Sequence, residues 1–323
     1  MRQTKHLIKT GMLTLAVLGL CAACLRQPAA QAPVTRAFPE VQIPAMLPQD
    51  ELSDYVLDHF WDAYLDTAGR WFCDSTHIGG VNDRIMATQL ASFLSILENS
   101  PAPKAAAVMA SFFDQVERYQ AADTASNVFS WVTDAVEYYL FDPNSEIRSE
   151  ELFLPFVSKL ADSPFAPEDL RTRYAHAARV CATNRIGTAA PDFRFLDARG
   201  RTHTLYGEKA PWTVLLFVNP GCQACEDVVS VFGTEEVKAL VSAGTLRILG
   251  IYIDEDIAAW KDRSDRLPAH WVNGYDPAGI IRADRLYFVR AIPSIYLLDA
   301  RKQIVMKDAT PAAIASFMGN NLM

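Results

Sequence analysis

Two cysteines in the stretch Phe217-Val-Asn-Pro-Gly-Cys222-Gln-Ala-Cys225-Glu-Asp227 are the residues whose type and spacing point most directly to chemistry. Thiols three positions apart on a helix lie about one turn from each other, close enough to pass between dithiol and disulfide. The apolar run Thr213-Val-Leu-Leu-Phe-Val218 just before them reads as a buried parallel strand. Val228, Val229 and Phe232 just after them recur at helical spacing. The pair therefore falls where a strand turns into a helix N-terminus. Unpaired N–H groups and the positive end of the helix dipole favour a thiolate there. The expected roles follow: Cys222 attacks a substrate disulfide, and Cys225, buried and slower to react, resolves the mixed disulfide.

A C-x-x-C pair is also half of a structural zinc site. The other half is missing, because Cys73 and Cys181 stand alone and none of the six histidines forms a C-x-H or H-x-x-H neighbour. Neither a metal nor a cofactor is called for. A second stretch, Arg290-Ala-Ile292-Pro293-Ser-Ile-Tyr296, supplies a proline at the start of the strand after the second βα unit. A proline there removes a backbone donor and leaves the Ile292 backbone free to pair with an incoming peptide beside the sulfurs. Thioredoxin-like folds, which these two motifs in these positions resemble, place a cis proline opposite the dithiol in this slot, and the resemblance implies Ile292 and Pro293 as substrate-binding residues. Its plainer alternative is a proline that merely starts an edge strand.

The elements that must position these residues begin with an export signal. Of the 323 residues, the first ten carry Arg2, Lys5 and Lys9, and an apolar core follows from Gly11 to Leu20. That core is too short to span a membrane and reads as a secretion signal. Cys21-Ala-Ala-Cys24 then resembles a bacterial lipobox, with Cys24 as the lipidated residue at the end of a 1–24 signal peptide. Cys21 stands where a lipobox usually has leucine, and a plain signal peptide is the alternative. The expected location is the cell envelope, lipid-anchored and facing the periplasm. Residues 25–48 contain five prolines among alanines and glutamines and read as an extended tether. In an oxidising compartment Cys73 and Cys181 are candidates for a structural disulfide. A net charge of −8 excludes nucleic acid as a partner, since phosphate binding needs a basic face.

From 49 to 186 the periodicity is helical. Leu52, Tyr55, Val56, His59, Phe60 and Tyr64 form one face, and Met86, Leu90, Phe93, Leu94 and Leu97 a second. Met109, Phe112, Phe113 and Val116 form a third, and Phe129, Val132, Val136, Tyr139 and Leu140 a fourth. Two further helices are predicted near 149–162 and 168–184, the last placing Cys181 on an apolar side. Trp131, Tyr138, Tyr139, Phe112 and Phe113 are expected in the core of this all-α domain. From 187 to 323 the pattern changes to a hairpin around Asp197-Ala-Arg-Gly200, strand 213–218, a helix to about Leu240, strand 246–253 and a helix near 257–263. Strands 294–298 and 303–306 and a final helix from Pro311 complete it. The predicted order is that of the thioredoxin core, an α/β fold with a central mixed sheet flanked by helices.

Residues 187–323 resemble the thioredoxin-like domain of the TlpA/ResA class through Ala190-Pro-Asp-Phe193, Cys222-Gln-Ala-Cys225 and Ala291-Ile-Pro293. The preceding part is similar to a helical domain of unknown function that precedes this domain in Bacteroidetes lipoproteins. Its carriers are His59-Phe-Trp-Asp62, Tyr139-Leu-Phe-Asp-Pro-Asn-Ser145, Arg148-Ser-Glu-Glu-Leu152 and Asn184-Arg-Ile-Gly187. Trp260, Trp271 and Leu286-Tyr-Phe-Val-Arg-Ala-Ile-Pro293 extend it. The resemblance implies a tethered thiol–disulfide oxidoreductase acting on a protein or peptide disulfide, kept reduced by a membrane electron donor. Two departures accompany it. Gly221 stands where thioredoxins usually have tryptophan, and Leu216 stands where they place a buried aspartate beneath the second cysteine. Asp254, Glu255 and Asp256 are candidate substitutes for that acid, or else a solvated helix start. A peroxidase-like relative is disfavoured by the Asn219-Pro-Gly approach. The rival from another class is a redox-silent binding lipoprotein whose helical domain holds a protein or glycan.

Overall fold

The computed structural model describes residues 34–322. The signal segment, Cys24 and residues 25–33 of the expected tether lie outside the described residues. Within the segment predicted as a tether, residues 34–38 are instead docked on the helical half. Val34 bridges to Trp71. The Arg36 guanidinium donates to the carbonyls of Gly79 (2.9 Å) and Tyr64 (2.6 Å) and lies over the Trp71 ring. Phe38 stacks on Tyr64 with ring centroids 5.3 Å apart. One arginine and one phenylalanine among the prolines are enough to dock a chain whose backbone has no helix to form.

The first half comprises α1 (Leu52–His59), a short hairpin of β1 (His77–Ile78) and β2 (Val81–Asn82), α2 (Asp83–Glu98), α3 (Ala102–Ala122), α4 (Val128–Phe141), α5 (Glu150–Asp162) and α6 (Glu168–Cys181). The hairpin departs from the all-helical expectation. Gly79 and Gly80 turn it with φ of +50° and +83°, a region open chiefly to glycine, and two-residue strands are too short for alternation to register. The four helical faces otherwise pack as their periodicity requires. On α2, Met86, Leu90, Phe93, Leu94 and Leu97 are all buried, and Asn82 caps the helix by accepting from Arg84 N–H. Each such side chain contributes about 1.5–3 kcal/mol of transfer free energy. Trp61 stacks on Phe112 at 4.7 Å, and Phe113 meets Phe156 edge-on at 5.0 Å. Trp131 and Tyr139 pack half-buried against this core. Tyr138, expected inside, is 62% exposed, because it falls on the outer face of α4.

The second half is built on a seven-stranded sheet: β3 (Arg194–Asp197), β4 (Thr202–Thr204), β5 (Trp212–Phe217), β6 (Leu246–Tyr252), β7 (Val272–Tyr275), β8 (Ser294–Leu298) and β9 (Ile304–Met306), in spatial order β4-β3-β7-β6-β5-β8-β9. Five helices accompany it: α7 (Gln223–Phe232), α8 (Glu235–Ser242), α9 (Ile257–Arg263), α10 (Ile280–Ala283) and α11 (Pro311–Asn321). The sheet is mixed, since β5 runs parallel to β6 and antiparallel to β8. Its two faces divide the strand residues as alternation demands. Val214 and Leu216 pack with Val228, Phe232, Ile314 and Met318 on one face. Leu215 and Phe217 pack with Phe193, Ile281 and Tyr287 on the other.

β7, α10 and the division between α7 and α8 were not predicted. β7 is four residues, Val-Asn-Gly-Tyr, with no alternation to mark it. It exists because Gly274 lets β3 approach: a Cβ there would lie 2.4 Å from Phe195 Cδ2. The helix predicted to run on to Leu240 breaks at Gly233, and Thr234 caps a new one by accepting from Val237 N–H.

Candidate active site

β5 ends at Phe217, and the chain turns through Asn219, Pro220 and Gly221 before Cys222 caps α7. Gly221 has φ +89°, which a side chain would resist. The Cys222 N–H donates to Asn219 O (3.2 Å), and the Cys222 carbonyl accepts from the N–H groups of Cys225 and Glu226 (3.0 and 3.1 Å). Cys222 is half-buried, whereas Cys225 is only 2% exposed. Cys225, Val228 and Phe232 face the core at helical spacing, so the second thiol is pulled inward by the same stripe that seats the helix. Both thiols are unbridged.

Across from them the Ile292–Pro293 peptide bond is cis, as expected. The Cys222 Sγ lies 3.8 Å from the Ile292 carbonyl. β8 begins at Ser294, which pairs with Phe217 of β5. The register thus sets the proline beside the residues that lead into the cysteines. The structure brings together Cys222, Cys225, Ile292 and Pro293.

Burial pushes the Cys225 thiol up to about 12, and the neighbouring Cys222 adds to this, while the Asn219 N–H, which points at its sulfur from 3.5 Å, pulls the other way. Leu216, at the position expected for an aspartate, is fully buried and packs in the same cluster as Cys225. Of the three substitute acids, Asp256 caps α9 by accepting from Ala259 N–H. Asp254 instead accepts from the Asn219 side-chain amide (3.1 Å) and pairs with Arg282 (2.6 Å). It reaches the dithiol through Asn219.

The loop into Pro293 is held from the helical half. Arg290 donates to the Phe141 carbonyl, lies over the Phe141 ring at 4.2 Å, and pairs with Glu150 (3.2 Å) and Asp308 (2.5 Å). Glu150 also pairs with Lys307 (2.6 Å), whose ammonium donates to the carbonyls of Cys181 and Thr183. Arg148 reaches Asp308 from the same helical end (3.4 Å). Burial acts to raise the Glu150 carboxyl, and Lys307 and Arg290 act to lower it. Beside this cluster an open cleft of about 250 Å³ lies between the halves, with Leu97, Ala105, Arg185 and Met306 among its walls.

Cys73 and Cys181 do not pair. Cys73 sits near Ser126 Oγ (3.8 Å), held in the loop before β1. Cys181 is buried at the end of α6 beside the Glu150–Lys307 pair, and burial raises its thiol far above its ordinary value. An apolar helix face explains Cys181, as the small buried residue its periodicity suggested. Among the described residues no three histidine, cysteine or carboxylate side chains converge as a metal-binding group, and no helix is long and apolar enough to cross a membrane. Asn219, Arg290, Glu150, Lys307 and Asp308 were not singled out by sequence reasoning. Arg290 and Glu150 both lie in stretches that carried the family resemblance, and that was the available signal.

Three comparisons bear on this arrangement. The family model described as "Domain of unknown function (DUF5106)" matches residues 16–184. The crystal structure of a thioredoxin-like protein from Bacteroides caccae is 30% identical, covers 88% of this chain and 98% of its own, and superposes with a TM-score of 0.75. Both halves therefore share its fold, a helical region followed by a thioredoxin-like domain. The C-terminal domain of an uncharacterized protein from Bacteroides fragilis is 36% identical over 43% of this chain and 99% of its own, with a TM-score of 0.41. The thioredoxin domain of a thiol-disulfide oxidoreductase from Bacteroides vulgatus is 19% identical over 43% of this chain and 99% of its own, with a TM-score of 0.37. No curated protein matches the chain.

Proposed function

The chain belongs to the DUF5106 family, with a thioredoxin-like domain after the helical one, and on that footing we propose that it is a thiol–disulfide oxidoreductase with Cys222 as nucleophile and Cys225 as resolving thiol. One observation carries this reading: a half-buried thiol at a helix N-terminus faces the Ile292 carbonyl at 3.8 Å, with a second thiol buried one turn behind it. The Ile292 carbonyl has the place of an acceptor for a substrate N–H, and Pro293 has no donor to compete, so a peptide strand can lie beside Cys222.

In the first step the Cys222 thiolate attacks one sulfur of the substrate disulfide. A Cys222–substrate S–S bond forms, the substrate S–S bond breaks, and the departing thiolate takes a proton from solvent. Cys225 then loses its proton and attacks Cys222 Sγ. The Cys222–Cys225 disulfide forms and the second substrate thiol leaves protonated. The substrate gains two electrons and the protein loses two, which an external dithiol donor must return. The deprotonation of Cys225 is the harder part, since burial holds that thiol at about 12. Asn219 N–H is placed to stabilise the thiolate as it forms.

The export signal and Cys24 support a lipid-anchored protein in the periplasm-facing envelope, served by a membrane electron donor and acting on protein disulfides. Trapping tests the chemistry. Cys225→Ser should accumulate a dithiothreitol-sensitive adduct on Cys222, and Cys222→Ser should form none. A Cys225→Ser protein that accumulates no such adduct removes the assignment. A second reading, in which the helical half holds a partner and the dithiol is silent, draws on the 250 Å³ cleft between the halves. It prevails if neither cysteine exchanges with glutathione or dithiothreitol.

A further inference from the structure

We propose that Arg263 and Arg266 select substrates, favouring disulfides that carry a carboxylate next to the reacting sulfur. This rests on the exchange chemistry proposed above. β5 and β6 run parallel, so the loops that follow them emerge at the same edge of the sheet. The first of these loops carries Gly221 and Cys222. The second leads into α9, which ends at Arg263 and continues as a single tight turn through Arg266. Three residues apart in helical geometry, these side chains share a face, and that face meets the dithiol loop.

The convergence is close. A Cβ on Gly221 would lie 3.4 Å from Arg263 Nη1 and 3.6 Å from Arg266 Nη1. Gly221 is bonded directly to Cys222, so both guanidinium groups stand one residue from the nucleophile. Both arginines are exposed. Neither makes an ion pair or a side-chain hydrogen bond among the described residues, whereas Arg282 and Arg290 on nearby segments are paired. Two exposed like charges near one point, neither in an ion pair among the described residues, repel each other. A carboxylate arriving there relieves that repulsion and can be gripped by planar donors. Gly221 has no side chain to fill the space between the guanidinium groups and an incoming ligand. Both acidic peptides and small dicarboxylate disulfides present this chemistry.

The full reduced chain is mixed with three small disulfides: 3,3′-dithiodipropionate (anionic), bis(2-hydroxyethyl) disulfide (neutral) and cystamine (cationic). Each rate is divided by that of free mercaptoethanol with the same disulfide, which removes leaving-group differences. Two cystine-bridged peptides, one flanked by glutamates and one by lysines, extend the series to protein-like substrates. At low salt the anionic disulfide should lead the cationic one by about tenfold, with the lead shrinking as salt is added. In Arg263→Gln/Arg266→Gln the lead should vanish while the neutral rate stays within about twofold. If only the peptides show the preference, the sites read acidic polypeptide; if the small anion shows it too, they read the carboxylate itself. Equal normalised rates in the wild type across both the small disulfides and the peptides overturn the proposal. So does a double variant that slows all the disulfides alike, since that is an effect on the nucleophile. A reduced wild type that reacts with none of them overturns the exchange reading, and this one with it.

Discussion

Replacing Glu150 by glutamine should destabilise the protein far more than loss of an ordinary side-chain contact. The carboxylate is 3% exposed and holds two cations, Lys307 at 2.6 Å and Arg290 at 3.2 Å. At an effective dielectric of about 20 each contact is worth roughly 5–6 kcal/mol of gross attraction. Much of that offsets the several kcal/mol needed to dehydrate each ion. Glutamine keeps the shape, removes the attraction and leaves the dehydration in place. Arg290 still has Asp308, but Lys307 has no other carboxylate and keeps only carbonyl partners. The expected loss is about 3–5 kcal/mol, or roughly 5–10 °C in Tm for a chain of this length. Urea unfolding followed by circular dichroism and tryptophan fluorescence measures it. Glu150→Leu/Lys307→Met, which removes both charges, should recover the loss to within about 1 kcal/mol of wild type or better. A glutamine variant within about 1 kcal/mol of wild type, or a double variant no better than the single, would refute this account.

Cys225 raises a pH expectation. Its thiol titrates near 9 unfolded and near 12 folded, so the folded state holds the proton through that window. Its contribution is complete below about pH 9 and lost as pH climbs toward 12; thermal melts of the reduced protein should show this loss, and Cys225→Ala should lack it. Gly274→Ala would bring a Cβ within 2.4 Å of Phe195 Cδ2 and 2.8 Å of the Leu196 carbonyl. Pushing β7 off β3 should cost about 1–3 kcal/mol, read as a lower urea midpoint. Asp254→Ala frees the side chain of Asn219, the residue whose backbone N–H points at Cys225 Sγ. Release of substrate from the mixed disulfide should slow by about tenfold while Cys222 attack is unchanged; rapid-quench kinetics with a model disulfide separates the two steps.

The dithiol was legible because its signals are local: a strand, a Pro-Gly turn and a helical stripe all lie close to Cys222 in the chain. The proline at 293 was legible because topology assigns it a slot. The buried ion cluster was not, since Glu150 and Lys307 are far apart in the chain and each reads as an ordinary charged residue. A charged residue in sequence is presumed solvated, and only the approach of the start of α5 to Lys307, just after β9, reveals otherwise. β7 failed for a different reason. It is created by what Gly274 allows its neighbour to do, and four residues without alternation carry no strand period. Arg36 and Phe38 were hidden by the prolines around them, which dominate the composition of that segment. The Cys73–Cys181 pairing came from compartment and cysteine arithmetic, and neither constrains where a loop and a helix end lie in space.

Those hidden contacts bear directly on the legible site. Arg290 precedes Pro293 by three residues, and Asp308 accepts from Arg290 and from the hydroxyl of Ser294 just beyond the proline. Arg148 reaches the same carboxylate from the helical half. The segment 290–294 is thus gripped at both ends by one buried network, and the Ile292 carbonyl that faces Cys222 lies between the grips. A substrate strand gains a backbone hydrogen bond there only if that carbonyl is already fixed, since ordering it on binding would cost roughly 1–2 kcal/mol of backbone entropy per residue. The helical half contributes Glu150, Arg148 and the Phe141 carbonyl to that fixing. On the proposed function, the part of the helical half is to keep rigid the segment beside the dithiol, through these contacts to residues 290–294.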